Sequence, residues 1–192
     1  WKFCKTMKKI EIKEFGGPEV LEIKNVDIGK PGQNEVLVKN LSIGINYIDT
    51  YHRSGLYPIP LPSGIGLEAC SIIEEVGSEV KLFKVGDRVT RASMPIGTYS
   101  EKQIIPEDKL VKVPDNISDE VASCITLKGI TAEYLLHRTY KVKKGDKILY
   151  HAAAGALGQI FCPWANALGA EIIGTVGSDE KIEIAKKNGC HH

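Results

Sequence analysis

The hydrophobic pattern of the chain changes near residue 125, and this change constrains the fold more than any other feature. Before it, short runs rich in β-branched residues, such as Glu35–Ile45 and Leu67–Val76, are separated by glycine and proline turns. Many short strands at regular spacing are typical of an antiparallel barrel or sandwich. After it, strand Lys147–His151, a helix, strand Glu171–Val176 and a second helix, Asp179–Asn188, follow in order. That order predicts the start of a parallel sheet, so we expect a mixed α/β fold.

The composition argues against several classes of function. The 192 residues include 25 Lys and Arg against 24 Asp and Glu, which leaves a formal net charge of +1. A net charge so close to zero does not indicate a basic surface that binds nucleic acid, nor a polybasic patch that binds a membrane surface. The apolar stretch Ile148–Ala170 contains Pro163 and three glycines, which a membrane-spanning helix seldom has. We therefore expect no nucleic-acid partner and no membrane segment.

Cysteine usage predicts the cellular compartment. The five cysteines are scattered between Cys4 and Cys190, without a C-x-x-C pair. A secreted disulfide scaffold has an even set of cysteines, and a structural zinc site has close pairs. The pattern favours a reducing environment and hence a cytoplasmic location. Residues 1–6, before Met7, have no apolar signal region and are interpreted as an extension, and His191 and His192 are not taken as a metal site.

A loop of small residues follows the first strand of the second half. Ala152–Gly158 occupies the place of a dinucleotide-binding fingerprint, where small residues let the backbone approach a pyrophosphate at a helix N-terminus. Ala153 replaces the first glycine of the G-x-G-x-x-G pattern, but strand, loop, helix and strand are in the right order. A tight turn without a ligand is the alternative. The residues predicted to bind the cofactor here are Ala154, Gly155, Ala156, Leu157 and Gly158.

The end of the second strand indicates which nicotinamide cofactor binds. NAD enzymes place an acid there for the ribose hydroxyls, whereas a 2′-phosphate requires that the acid is absent and a cation is near. Here the strand ends at Gly177 and Ser178, and Lys181 follows one turn later. Ser178 can donate a hydrogen bond to a phosphate and Lys181 can supply a positive charge, so we predict NADPH. The alternative is that Ser178 caps the next helix and Lys181 is solvated.

Several motifs along the chain together resemble one family. They are Asn46 to Tyr51, Gly66-Leu67-Glu68, Val76-Gly77-Ser78 with Gly86 to Val89, Leu127 to Ala132, and the loop from His151 to Gly158. From Lys8 onwards the chain is similar to the medium-chain dehydrogenase/reductase superfamily, and within it to the zinc-free quinone oxidoreductases related to zeta-crystallin. The resemblance implies a GroES-like β-barrel catalytic domain, residues 7–124, followed by a Rossmann cofactor domain from residue 125.

The resemblance also implies a site and a reaction. Zinc-dependent relatives hold their metal with a Cys and a His, and the matching positions here look to be Asn46 and Leu67, so we expect no metal. The implied reaction is metal-free hydride transfer from NADPH to a small quinone. Tyr57, which precedes Pro58, has packing in a turn as its alternative role. The residues that match catalytic positions are Asn46, Tyr51 and Tyr57, and those that match cofactor contacts are Asn46, Lys128 and Thr131.

Two other functions stay open at this point. An alkenal or enone reductase on the same scaffold also sends hydride to an electron-poor conjugated carbonyl. A non-catalytic relative that serves as a crystallin or binds RNA is the alternative from another class, although the near-zero net charge gives RNA binding little support.

The length predicts an incomplete cofactor domain. Only 67 residues follow Ile125, whereas a doubly wound sheet has about six strands and each βαβ unit takes 30 or more residues. Residues 125–192 are therefore expected to be the N-terminal part of a Rossmann domain, without the segment that returns to the catalytic domain. We expect the chain to be a fragment of a longer, homodimeric enzyme, and the activity of the 192 residues alone stays open.

Overall fold

The computed structural model describes residues 6–192, which divide into two compact units. Unit one ends at Thr126, and unit two is Leu127–His192. The expected N-terminal extension lies outside the described residues except for Thr6, which begins the first strand. Within the described part of the chain, no helix combines the length and the apolar character needed to cross a membrane.

Unit one consists mainly of antiparallel strands. Its strands are β1 (Thr6–Ile12), β2 (Glu22–Asp27), β3 (Glu35–Gly44), β4 (Ser63–Gly64), β5 (Glu68–Val76), β6 (Arg88–Ala92), β7 (Lys102–Pro106) and β8 (Val111–Lys112). The first sheet has the order β2-β1-β4, and the second has the order β7-β3-β5-β6-β8. Short 3₁₀ turns at Pro18–Val20 and Glu107–Lys109 connect strands.

The two sheets are joined by backbone hydrogen bonds and do not close into one barrel. The Ile10 N–H donates to the Tyr99 carbonyl at 2.7 Å, and the Glu101 N–H donates to the Lys8 carbonyl at 2.9 Å. The larger sheet buries a cluster of β-branched and leucine side chains because successive residues of a strand alternate between faces. Its fully or almost fully buried members are Val36, Val38, Ile73, Val89, Ile105 and Leu110.

Helix α1 (Tyr47–Ser54) follows directly on β3, at a place where the sequence predicted no element. Asn46 precedes it in an extended conformation, and its N–H donates to the Asp49 carboxylate at 2.9 Å. This bond satisfies one of the backbone donors that a helix start leaves without a partner. Gly55 ends the helix with φ +79°, the left-handed conformation that glycine adopts without steric cost.

Unit two contains the predicted strand–helix–strand–helix order. Helix α2 (Asp119–Tyr134) begins in unit one and is followed by a π-helical turn, Leu135–Thr139. The remaining elements are β9 (Lys147–Tyr150), α3 (Gly158–Ala167), β10 (Glu171–Gly174), a 3₁₀ turn (Asp179–Lys181) and α4 (Ile182–Lys187). Strands β9 and β10 are parallel, with Lys147 opposite Glu171 and Tyr150 opposite Gly174. The parallel sheet expected from the sequence is therefore present.

One face of this parallel sheet packs on α3. Phe161, Cys162 and Ala165 of α3 and Ile172 of β10 are buried in a shared core. Pro163 lies inside α3, on its exposed side. On the other face, Leu149 and Ile173 lie opposite each other and are 59 % and 37 % exposed. The sheet formed by β9 and β10 is thus covered by α3 on one face, while the side chains of the other face are partly exposed.

The last residues of the chain extend the sheet. The Gly174 N–H donates to the His192 carbonyl at 2.7 Å, and the His191 N–H donates to the Ile172 carbonyl at 2.8 Å. Because these bonds lie along the outer edge of β10, the two histidines occupy the position of a neighbouring strand. Their side chains also contact β10, because the Ile172 N–H donates to His191 Nδ1 at 3.0 Å and His192 Nε2 lies 2.9 Å from Glu171 Oε1.

Unit one contains a titratable group that should make its stability depend on pH. The Asp87 carboxylate accepts hydrogen bonds from the Lys84 N–H at 2.9 Å and from Lys112 Nζ at 3.1 Å. The backbone bond from Lys84 and then the Lys112 ammonium hold the pKa of Asp87 below its usual 3.8. A lowered folded-state pKa gives stability that is complete above 3.8 and is lost as the pH falls through the folded-state value.

We therefore expect the free energy of unfolding to decrease on acidification, and we expect this decrease to be smaller in Asp87→Asn. Urea unfolding at a series of pH values between about 5 and 2 measures the free energy of unfolding of both chains. Asp115→Asn is the control because Asp115 is exposed and makes no hydrogen bond within the described residues. An identical pH dependence in the parent chain and in Asp87→Asn would contradict the assignment.

Candidate functional site

The residues predicted to form the site lie in both units, and all are within the described part of the chain. Unit one holds the three predicted catalytic residues, Asn46, Tyr51 and Tyr57. Unit two holds the other predicted cofactor contacts, which are Lys128, Thr131, Ala154, Gly155, Ala156, Leu157, Gly158, Gly177, Ser178 and Lys181.

Asn46 is buried, 7 % exposed, and is held at both ends by carboxylates. Its side-chain Nδ2 donates to Glu68 Oε2 at 2.8 Å, and its backbone N–H donates to Asp49 Oδ2 at 2.9 Å. The Tyr99 hydroxyl donates to the same Asp49 oxygen at 2.8 Å. Burial, and next the bond to Asp49, raise the pKa of Tyr99, so the hydroxyl keeps its proton and remains a donor. Tyr99, Asp49, Asn46 and Glu68 thus form one continuous hydrogen-bonded chain.

Tyr51 and Tyr57 are in direct contact. Their ring centroids are 5.2 Å apart at 61°, and the Tyr57 N–H donates to the Tyr51 carbonyl at 3.2 Å. The Tyr47 ring meets Tyr51 from the other side, at 5.4 Å and 83°. Such edge-to-face pairs are the favoured geometry for aromatic rings. Tyr57 and Tyr47 are 51 % and 76 % exposed, so α1 presents aromatic surface to solvent.

His52 lies on the buried side of the same helix. It is 7 % exposed, and its Nδ1 has no hydrogen-bond partner within residues 6–192. Its ring lies 6.5 Å from the ring of Tyr57. His52 is therefore a buried residue of α1 that packs against its surroundings.

An amide and an aliphatic side chain, those of Asn46 and Leu67, occupy the two positions that match zinc ligands. Leu67 is a buried aliphatic side chain, and the Asn46 amide donates to Glu68. Among residues 6–192, no group of three or more His, Cys, Asp or Glu side chains is arranged to hold a metal ion. The side chains around Asn46 are therefore suited to hydrogen bonding.

In unit two, the loop between β9 and α3 makes a close backbone approach. A Cβ placed on Gly158 would lie 2.3 Å from the Ala153 carbonyl oxygen, a distance that no side chain tolerates. The loop is fixed to the sheet because the Ala153 N–H donates to the Thr175 carbonyl at 3.0 Å. Ala152 has φ +57°, a conformation that non-glycine residues seldom adopt. The glycine at 158 is required by space.

Several backbone N–H groups of this loop are not used by hydrogen bonds within the described part of the chain. Within residues 6–192, no hydrogen bond uses the N–H groups of Ala154, Ala156 or Leu157. They lie at the start of the ten-residue helix α3, where the aligned peptide dipoles favour a negative charge. The segment from Ala154 to Gly158 can therefore bind an anionic group such as a pyrophosphate.

Ser178 and Lys181, which follow β10, lie in one turn. Ser178 is extended, with φ −159°, and its side chain makes no capping hydrogen bond. The Lys181 N–H donates to the Ser178 carbonyl at 3.1 Å, so both residues belong to one turn, and both are exposed. Gly177 has no atom within 4 Å of the place where a Cβ would be. A hydroxyl and an ammonium group are thus available together beyond the end of the strand.

Lys128 and Thr131 lie one turn apart on α2. Residues at this spacing share one face of a helix. The Thr131 hydroxyl donates to the Leu127 carbonyl at 2.8 Å, and both predicted residues are half-buried.

Three residues that fix Asn46 were not predicted from the sequence. They are Glu68 and Asp49, which lie in motifs that resemble the family, and Tyr99. One local signal was present, because Asn46-x-x-Asp49 is a capping pattern that predicts a helix start. The contact with Glu68 had no local signal, since it depends on strand pairing.

Comparisons with known proteins identify the class. The model of the alcohol dehydrogenase GroES-like domain matches residues 32–115. The chain is 52 % identical over 184 residues to the quinone oxidoreductase of Pseudomonas aeruginosa, which covers 95 % of this chain and 57 % of that protein. It is 48 % identical over 188 residues to a 2-haloacrylate reductase from Burkholderia sp., with 94 % and 56 % covered.

Among solved structures, the Escherichia coli quinone oxidoreductase complexed with NADPH has a TM-score of 0.92 and 50 % identity, over 95 % of this chain and 56 % of that chain. Residues 32–115 thus resemble the alcohol dehydrogenase GroES-like domain, and the chain as a whole is similar in structure to medium-chain dehydrogenase/reductase proteins. Within that superfamily, it is similar to the quinone oxidoreductases. The resemblance and the fold class inferred from the sequence are confirmed, and the chain spans a little over half the length of these relatives.

The close approach at Gly158 yields a prediction about stability. Gly158→Ala gains about 1 kcal/mol of helix propensity, but a methyl group 2.3 Å from the Ala153 oxygen forces the loop to move. Overpacking costs about 1–3 kcal/mol, so we expect a net fall in the free energy of unfolding. Urea unfolding measures the fall. Gly177→Ala is the matched control because its methyl meets nothing, and equal effects of the two substitutions would contradict the steric account.

Proposed function

We propose that this chain carries the catalytic unit and the first part of the cofactor unit of an NADPH-dependent quinone reductase. The observation that carries the proposal is the likeness, over 95 % of the chain, to a quinone oxidoreductase whose structure was solved with NADPH. The donor-lined loop at the start of α3 supports it independently, because that loop fits a pyrophosphate. We further propose that the protein is cytoplasmic, as the scattered cysteines favour, and that the full-length parent is homodimeric, as the resemblance implies.

Different residues of unit two would contact different parts of the cofactor. The pyrophosphate would accept hydrogen bonds from the N–H groups of the loop Ala154–Gly158. The 2′-phosphate would lie beside Gly177, with Ser178 as a neutral donor and Lys181 as the charge. Lys128 and Thr131, on one face of α2, would contact the nicotinamide half.

In unit one, Asn46 would hold the nicotinamide half and the two tyrosines would hold the quinone. When bound, the cofactor supplies the hydride. The Tyr51 hydroxyl would donate a hydrogen bond to the quinone oxygen on which negative charge develops, and a proton from solvent completes the hydroquinone. Tyr57, in contact with the Tyr51 ring, would form a wall of the same pocket and exclude water. Positioning and hydrogen bonds, without a metal, would lower the barrier.

An alkenal or enone reductase is the second candidate, and the similarity to a 2-haloacrylate reductase favours it. Both reactions deliver hydride to a conjugated carbonyl compound, so the same residues serve either. The two are separated by NADPH oxidation with a quinone and with an enal, assayed side by side. Since the chain spans 57 % of the Pseudomonas aeruginosa relative, a chimera in which residues 7–192 replace the matching segment of that protein is assayed. Faster turnover of the quinone supports the proposal, and faster turnover of the enal overturns it.

The choice of NADPH predicts a selective effect at Lys181. Lys181→Ala should weaken NADPH binding and leave NADH binding nearly unchanged, because only NADPH has the 2′-phosphate. A hydrogen bond to a charged group is worth about 1.5–3 kcal/mol, or roughly ten- to a hundredfold in affinity. Titration of cofactor fluorescence measures both affinities. Lys187→Ala, at another exposed lysine, is the control, and equal losses of NADPH and NADH would make Lys181 a solvated surface residue.

The proposed role of the Tyr51 hydroxyl predicts a separation between binding and turnover. Tyr51→Phe keeps the ring contacts with Tyr47 and Tyr57 and removes only the donor. We expect kcat for quinone reduction in the chimera to fall about 10²-fold, the scale seen for single oxyanion donors, while NADPH affinity stays the same. Tyr47→Phe removes a neighbouring hydroxyl as the control. Unchanged kcat in Tyr51→Phe would leave this residue as a wall of the pocket.

A further inference from the structure

A fully buried carboxylate lies beside the proposed site, and no proposed contact with cofactor or quinone uses it. Glu68 is the first residue of β5 and is 0 % exposed. Its Oε2 accepts the hydrogen bond from Asn46 Nδ2 at 2.8 Å. Removing a carboxylate from water is costly unless hydrogen bonds compensate it. The contact with Asn46 is therefore part of what keeps Glu68 buried.

Strand pairing brings these two side chains together. In the register of β3 and β5, Gly44 lies opposite Glu68. A Cβ on Gly44 would lie 3.0 Å from Glu68 Oε2, so the glycine leaves the space that the carboxylate fills. The chain leaves β3 at Gly44 and reaches Asn46 two residues later, at the start of α1. Glu68 thus lies on β5, and Asn46 lies two residues beyond the end of the neighbouring strand β3.

The bond to Glu68 fixes the orientation of the Asn46 amide. Asn46 Nδ2 donates to Glu68 Oε2 at 2.8 Å, so the NH₂ group of Asn46, and not its oxygen, faces Glu68. The backbone of the same residue is held by Asp49, which also accepts from Tyr99. Rotation of the amide by half a turn would place its oxygen against the buried carboxylate, and the lost bond and the repulsion oppose that rotation.

We propose that Glu68 is a positioning residue for Asn46. It holds the amide in the one orientation that meets the nicotinamide half of the cofactor, and it acts through Asn46 without touching cofactor or quinone. The inference deepens the proposed function and rests on it. It predicts that the loss of the Glu68 acceptor matters only while the Asn46 amide is present.

The first experiment measures the NMR signals of the Asn46 side-chain amide. In ¹⁵N–¹H spectra of the 192-residue chain, the side-chain signals of Asn46 are assigned by their absence in Asn46→Ala. Glu68→Met, which keeps the length of the side chain but removes the acceptor, should shift the Asn46 NH₂ signals towards those of a solvated amide. Glu68→Gln should retain their positions because the introduced amide oxygen accepts the same bond. Unchanged Asn46 signals in Glu68→Met would overturn the inference.

The second experiment is a double-mutant cycle on NADPH affinity, measured by cofactor fluorescence with the 192-residue chain. Glu68→Met should weaken binding by roughly five- to tenfold, the worth of about one hydrogen bond, and Glu68→Gln should restore it to within about twofold. In the Asn46→Ala background, Glu68→Met should cause no further loss. Additive losses, or a loss in Glu68→Gln as large as in Glu68→Met, would show that Glu68 acts through the fold in general.

The outcomes separate the two proposals. If NADPH binds the parent chain and Glu68→Met binds it equally well, the positioning role is overturned and the proposed function stands. If the parent chain binds no NADPH, the proposed function in this chain falls, and with it the effect of Glu68 on the cofactor. The amide spectra then still decide whether Glu68 orients Asn46. If Glu68→Met does not fold, Glu68→Gln and Asn46→Asp replace it, and an Asn46→Asp variant that binds NADPH like the parent chain overturns the inference.

Discussion

The antiparallel pairing of β3 with β5 determines where the polar residues of unit one lie. Its register ends with Gly44 opposite Glu68, after an irregularity between Asn40 and Ser42 that bends the strand. At Gly44, a side chain would collide with the Ser123 carbonyl oxygen at 1.9 Å, so the backbone passes where only glycine fits. The chain then turns into α1 with Asn46 beside Glu68. The amide is positioned by a strand register, which is more rigid than a loop, and a site built on it inherits that rigidity.

Unit two depends on a similar close approach between backbones. Gly158 lies against Ala153, and the Ala153 methyl group is fully buried, next to Gly174 of β10. This explains how the loop tolerates alanine where the dinucleotide pattern has its first glycine. Ala152 adopts the left-handed conformation, and Gly158 makes the tight contact with the Ala153 backbone. The departure from the pattern therefore leaves the close contact between Gly158 and Ala153 in place.

Much of the fold was predictable because strands and buried helices leave a periodic pattern in the sequence. The parallel order of β9 and β10 followed from two apolar runs with a helix between them. Helix α1 was missed because its buried side chains are Asp49 and His52, so no apolar period of 3.6 exists there. In α2, the large apolar side chains Val121 and Ile125 are 44 % and 43 % exposed. Ala122 and Ser123, which are small, are the buried neighbours.

The candidate site was predictable only where its chemistry is local. The loop Ala154–Gly158 and the turn Ser178–Lys181 are contiguous, so their residues could be assigned from motif and position. The contact of Asn46 with Glu68 joins residues 22 positions apart, and that of Asp49 with Tyr99 joins residues 50 apart. Both depend on strand register and on a helix that the sequence pattern did not reveal. Hydrogen-bonded support of a site is therefore the part that requires a structure.

Binding of NADPH at the loop before α3 is tested by a titration of the ¹⁵N-labelled chain with NADPH, followed in ¹⁵N–¹H spectra. We expect saturable shifts of the backbone amides of Ala154–Gly158 and of Ser178 and Lys181. A shift of the Asn46 side-chain amide in the same titration tests its proposed contact with the nicotinamide half. Shifts absent from the loop, or spread over the exposed lysines alone, would rule out the proposed NADPH site.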